Sequence, residues 1–96
     1  MILVTAKITS KSNDRNKIIS KSKDLIESSR LESGCINYDL YESIEDVDVL
    51  FVLEQWKDKE ALELHLQTEH FKAFGAAIEE FLDKEMDIVI YSAEKV

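Results

Sequence analysis

FVLEQWKDKEALELHLQTEHFKAF, residues 51–74, reads as a strand, a tight turn and a helix. Phe51, Val52, Leu53 and Trp56 favour the extended, pleated backbone. Asp58 can cap a helix, because its short carboxylate accepts from the free N–H groups of a first turn. Ala61, Leu62, His65 and Leu66 then recur at helical spacing, so a titratable imidazole shares an otherwise apolar face. The only tryptophan and both histidines of the chain fall inside this segment. Any chemistry is expected here.

The flanking sequence completes a pattern. Residues 1–10 alternate as a strand: Ile2, Val4, Ala6 and Ile8 point one way, Leu3, Thr5, Lys7 and Thr9 the other. Ser12, Asn13 and Asp14 offer cap oxygens for a helix whose inner face carries Ile18, Ser22, Leu25, Ile26 and Ser29. Gly34 is expected to end that helix in the left-handed conformation. A second strand runs from Cys35 to Tyr41, with Ile36, Tyr38 and Leu40 on one face. Glu42 to Asp46 makes the turn into a third strand, Val47 to Trp56. Thr68 caps a further helical segment with a stripe of Phe71, Phe74, Ile78, Phe81 and Leu82. Met86 to Tyr91 is the last strand. The order β-α-β-β-α-β is the ferredoxin-like plan of the α+β class, a four-stranded antiparallel sheet with its helices on one face.

The third and fourth strands are apolar on both sides, yet helices cover only one face of such a sheet. A second copy of the chain is the simplest cover for the other, which predicts a homodimer packed sheet to sheet.

Composition narrows the function. The 96 residues are expected to form a single domain over 1–96. Twelve basic against twenty acidic residues give a net charge of −8, which repels phosphate backbones and argues against nucleic acid. No apolar run approaches the ~20 residues of a membrane span. MILVTAKITS has neither the basic start nor the cleavage site of a signal peptide. The one cysteine, Cys35, has no internal partner, and a cytoplasmic location is expected.

Several side chains are candidates for chemistry. His65 reads equally as a core imidazole satisfied by a carbonyl and as a pocket base. His70 follows five residues on, about 140° around a continuous helix, so the pair is not expected to share a metal. With no other Cys or His cluster, no metal site is expected. His70 also suits a solvent-exposed cap position. Glu54 lies two residues before Trp56 on one strand face, where a carboxylate needs a partner or water. Tyr38, Phe51, Trp56, Phe71 and Phe74 suit either the core or the walls of a cavity for a flat ligand. Cys35 lacks a basic neighbour to activate it. Two glycines, Gly34 and Gly75, make no phosphate-cradling loop.

Glu54 to Ala73, E-Q-W-x(5)-L-x(2)-H-L-Q-T-x-H-x-K-A, resembles the antibiotic biosynthesis monooxygenase family, in particular its small quinol monooxygenases. Glu32 to Tyr38, E-S-G-C-I-x-Y, is similar to that family's helix-to-strand junction. The likeness runs through nearly the whole chain; a proline often precedes the second histidine in the family, where this chain has Glu69. The resemblance implies a dimeric α+β barrel that oxygenates phenols, quinols or polyketide rings with O2, without metal, flavin or other cofactor. It implies His65 as base, His70 or Glu54 as orienting or relaying groups, and Trp56, Tyr38, Phe51, Phe74 and Phe71 around the substrate.

Three other readings share the fold. Haem-degrading relatives use an Asn on the first strand, absent from MILVTAKITS, and a Trp and a His where this chain has His65 and Gly75. An isomerase or lyase acting on a phosphorylated signal molecule also carries a pocket histidine. A non-catalytic dimer that holds a small hydrophobic ligand is the third.

Overall fold

The computed structural model describes residues 1–96. Its elements are β1 (Ile2–Thr9), α1 (Arg15–Arg30), β2 (Cys35–Glu42), β3 (Val49–Trp56), α2 (Lys59–Leu66), α3 (Glu69–Ile78), a 3-10 turn over Glu79–Phe81, and β4 (Asp87–Ser92). The strands form one sheet in the order β2-β3-β1-β4, every pair antiparallel. This is the expected ferredoxin-like α+β plan.

The core lies between one sheet face and the helices. Val4, Ala6 and Ile8 of β1 pair with Glu54, Val52 and Leu50 of β3, so their side chains share that face. The apolar ones pack in one cluster with Ile18 and Leu25 of α1, Ala61 and Leu62 of α2, and Phe74 and Ile78 of α3. Both central caps form as the sequence suggests. The Asp58 carboxylate accepts from the Ala61 amide at 2.8 Å, and the Thr68 hydroxyl accepts from the Phe71 amide at 3.2 Å.

Several local expectations give way to the structure. Gly34 has no positive φ; α1 already ends at Arg30. Its glycine serves a close approach instead, since a Cβ there would lie 2.3 Å from the Ala61 Cβ. Asp14 occupies the N-cap of α1 without a side-chain cap bond and pairs with Lys17 at 3.1 Å. A bulge at Ile36, between the pairs Cys35–Trp56 and Asn37–Gln55, turns that side chain outward. β3 starts at Val49, leaving Val47 exposed in the turn, and β4 starts at Asp87. The helical stripe ends at Ile78, because the backbone tightens to a 3-10 turn over Glu79–Phe81.

The other sheet face is uncovered. Leu3, Tyr41, Phe51, Leu53, Val89 and Tyr91 alternate with the core-facing positions, and Tyr41, Phe51, Val89 and Tyr91 are exposed. No helix is long and apolar enough to cross a membrane.

Candidate functional site

Three elements converge at the Trp56 end of β3. The chain leaves α1 through turn bonds from Glu32 N to Ser29 O and from Cys35 N to Glu32 O. Gly34 then presses against Ala61 of α2, and its carbonyl accepts from the Lys57 amide at 2.9 Å. That contact sets Glu32 beside α2, one turn from His65. The break between α2 and α3 at Gln67–Thr68 swings His70 back toward the same place.

The result is a carboxylate shared by two imidazoles. Glu32 Oε2 lies 2.7 Å from His65 Nδ1 and 2.8 Å from His70 Nε2. As an acceptor, Glu32 places the His65 proton on Nδ1 and leaves Nε2 with its lone pair. That Nε2 is buried with no hydrogen-bond partner. It faces Glu54 Oε1 at 4.0 Å, and the same oxygen accepts the indole N–H of Trp56 at 3.0 Å. Aromatic rings hold the imidazole in place: the ring centroids of Trp56, Phe71 and Tyr38 lie 4.5, 5.2 and 5.6 Å from that of His65. The expectation that His65 and His70 diverge held only for one continuous helix; a two-residue break removes it. Glu32 stood inside the E-S-G-C segment, but nothing local marked it as a partner of residues over thirty positions away.

Beside this cluster lies an apolar cavity of about 60 Å³. Tyr38, Phe71 and Phe74 line it, with Leu62, Ile88 and Ile90, and Glu54 is the single charged residue in its wall. Ile88 and Ile90 are about half exposed and form an open rim. Engineered apolar cavities that admit benzene measure ~150 Å³, so a ring must widen this one at its rim. The expected base, His65, is fully buried behind Glu54 and does not reach the cavity. Trp56 likewise stands behind Glu54, and His70 lies beyond His65. Phe51 does not join the site: it sits opposite Lys7 and Tyr41 on the uncovered sheet face, because strand alternation sends it away from Val52 and Glu54.

Burial dominates the electrostatics. Loss of water pushes the Glu54 carboxyl up to about 7, although the Trp56 N–H pulls it down. The same loss pushes the His65 imidazole below its ordinary value, against the pull of Glu32. Burial, reinforced by Glu54, raises the Tyr38 phenol far enough to keep it neutral at any physiological pH. The Cys35 thiol is also raised by burial and by Glu32, which suits a packing role rather than a nucleophile.

A family model described as "Antibiotic biosynthesis monooxygenase" matches residues 1–77. The chain belongs to the antibiotic biosynthesis monooxygenase family. A Bacillus subtilis relative named "Putative monooxygenase YcnE" is 36% identical over 89 residues, which is 93% of this chain and 94% of that protein. Among solved structures, a conserved protein from Methanosarcina mazei Go1 is 38% identical with a TM-score of 0.92, over 97% of this chain and 92% of that one. PA3566 from Pseudomonas aeruginosa is 31% identical with a TM-score of 0.88, over 98% and 94% of the two chains. Family membership and the relatives' names support a monooxygenase-like function for this family member.

Proposed function

We propose that this chain is a cofactor-independent monooxygenase for a small electron-rich aromatic, a quinol, a phenol or a related polyketide ring, and that it works as a homodimer joined through the uncovered sheet face. The observation that carries the reading is the carboxyl of Glu54. It is the one charged group facing an apolar cavity, its proton affinity is tuned near neutrality, and an unpartnered imidazole nitrogen stands behind it.

In this scheme the substrate ring lies against Tyr38, Phe71 and Phe74, and its hydroxyl meets Glu54. Glu54 takes the phenolic proton, a role the sequence alone suggested for His65. His65 Nε2 receives that proton in turn, and Glu32 holds the imidazole in the tautomer that can do so. The phenolate gives one electron to O2, the two radicals combine at a ring carbon, and water leaves. For a quinol, one oxygen atom enters the ring and the other departs as water. All four electrons come from the substrate, which becomes a hydroxyquinone, so no outside reductant is required. The dry walls keep the phenolate reactive and exclude competing protons. His70 steadies Glu32 and does not touch the substrate.

The test is oxygen uptake with a panel of quinols and hydroxylated bicyclic aromatics, with product mass measured alongside. Turnover that requires O2 and adds one oxygen atom supports the reading, and Glu54→Gln should lose about 10²-fold or more of it. Turnover that continues unchanged without O2 would assign an isomerase or lyase instead. Tight binding without turnover would assign a ligand-binding dimer.

A further inference from the structure

The carboxylate and the two imidazoles around it have a second capacity, separate from proton transfer. We propose that Glu32, His65 Nδ1 and His70 Nε2 form a site for a divalent transition metal of the zinc type, and that an ion bound there switches the oxygenase site off. The inhibitory half rests on the monooxygenase reading; the binding half does not.

The geometry supports a three-ligand site. One donor atom from each residue falls in a group whose members all lie within 4.8 Å of one another. Both imidazole nitrogens already point at one carboxylate oxygen, at 2.7 and 2.8 Å. Ligands at 2.0–2.2 Å from a tetrahedral ion stand about 3.4 Å apart, so Glu32 must retreat by roughly 0.7 Å and the two nitrogens, within 4.8 Å of one another, must settle to the same spacing. Two histidines and one carboxylate make a donor set that zinc-type ions favour, with a fourth position left for water. Glu32 and His70 are partly open to solvent, at 16% and 22% of their side-chain surface. A polar depression of about 140 Å³ leads to Glu32; Asp58 and Glu60 also line it, against a single cation, Lys57. The chain's charge of −8 concentrates cations around it.

The consequence for the site follows from proton placement. A metal on His65 takes the Nδ1 lone pair, so the ring proton must move to Nε2. The same exchange moves the His70 proton from Nε2 to Nδ1. No proton is lost from either neutral ring. His65 Nε2 then carries a hydrogen facing Glu54 at 4.0 Å and accepts nothing. The relay behind Glu54 is closed while the ion stays.

Cobalt(II) is the probe, because its visible absorption reports both binding and coordination number. Titrating the metal-free full chain should give one ion per chain at micromolar concentration, a low-coordinate spectrum with nitrogen ligation, and displacement by zinc. Glu32→Gln and His70→Ala should each weaken binding by about tenfold or more. Glu60→Gln, in the mouth but outside the ligand set, should change it less than threefold. Circular dichroism on each variant confirms that it is folded, and a variant that does not fold is replaced by Glu32→Ala or His70→Gln. Binding no tighter than millimolar, or equal losses in Glu60→Gln and Glu32→Gln, would overturn the site. With a substrate in hand, zinc should suppress oxygen uptake and a chelator restore it. Stoichiometric binding with uptake unchanged would overturn the switch while leaving the metal site standing.

Discussion

Replacing Glu54 by glutamine should change how stability depends on pH, by an amount the structure sets. The glutamate carboxyl rises from 4.5 to about 7 on folding, chiefly through desolvation. The folded state therefore holds this proton more tightly than the unfolded chain. Its contribution to stability is greatest below pH 4.5 and is lost as pH rises through about 7. Between pH 5.5 and pH 8 the loss integrates to about 2 kcal/mol. The range stays clear of the isoelectric point near 4.7, where the protein would precipitate. Glutamine keeps the shape and an acceptor for the Trp56 N–H but cannot ionise. His65, whose proton affinity falls on folding, removes stability as pH drops below 6.5, but it does so in both proteins and largely cancels in the difference. For a domain of this size, 1 kcal/mol moves Tm by ~4–8 °C, so the variant should gain roughly 8–16 °C on the wild type between the two pH values. Differential scanning calorimetry at one fixed protein concentration gives the four melting temperatures. A difference in Tm that stays constant with pH within about 2 °C would refute the argument, because Glu54 would then titrate as it does in water.

Three further expectations follow from neighbouring residues. His65→Gln keeps a side chain that can bond Glu32 but cannot take up a proton; turnover per folded molecule should fall by about 10²-fold or more, and near-wild-type single-turnover rates would remove His65 from the relay. Gly34→Ala forces a Cβ to within 2.3 Å of the Ala61 Cβ and should cost about 1–3 kcal/mol, read as a lower urea midpoint; an unchanged midpoint would refute the close approach. Val89→Glu sets a carboxylate opposite Thr5 on the uncovered sheet face, so a wild-type particle of twice the 11.1 kDa chain mass should sediment as a monomer or unfold in the variant; a wild type that is already monomeric at micromolar concentration would refute the dimer.

Much of the fold was readable because its signals are local. Alternation marked β1, and the helical spacing of Ile18, Ser22, Leu25 and Ser29 marked the inner face of α1. Asp58 and Thr68 announced their helices through oxygens three residues from the amides they accept. Two of the failures come from contact between residues distant in sequence, and one from a local signal passed over. Gly34 is needed because of Ala61, and no local rule connects the two. Ile36 turns outward because one extra residue enters β2 opposite β3. Phe51 was placed in the cavity on chemical type, although its position one residue from Val52 already sent it to the other face. The cavity aromatics Tyr38, Phe71 and Phe74 and the Glu54–Trp56 pair were visible in the sequence; the Glu32 junction was not.

The arrangement makes sense of why two acids flank one histidine. In water a glutamate holds its proton about two units less tightly than a histidine, so a proton would rest on the imidazole. Burial moves the two groups toward and past one another, raising Glu54 to about 7 and lowering His65. The imidazole therefore no longer holds the proton against the carboxyl that faces it across 4.0 Å. The two carboxylates are not equivalent in this. Glu54 faces the apolar cavity and is the group whose charge is costly, so it changes protonation. Glu32 lies toward solvent between two N–H donors and fixes which nitrogen of His65 is free. The function proposed for the site therefore depends on the depth at which the sheet and α2 bury Glu54, as much as on the identity of the residues.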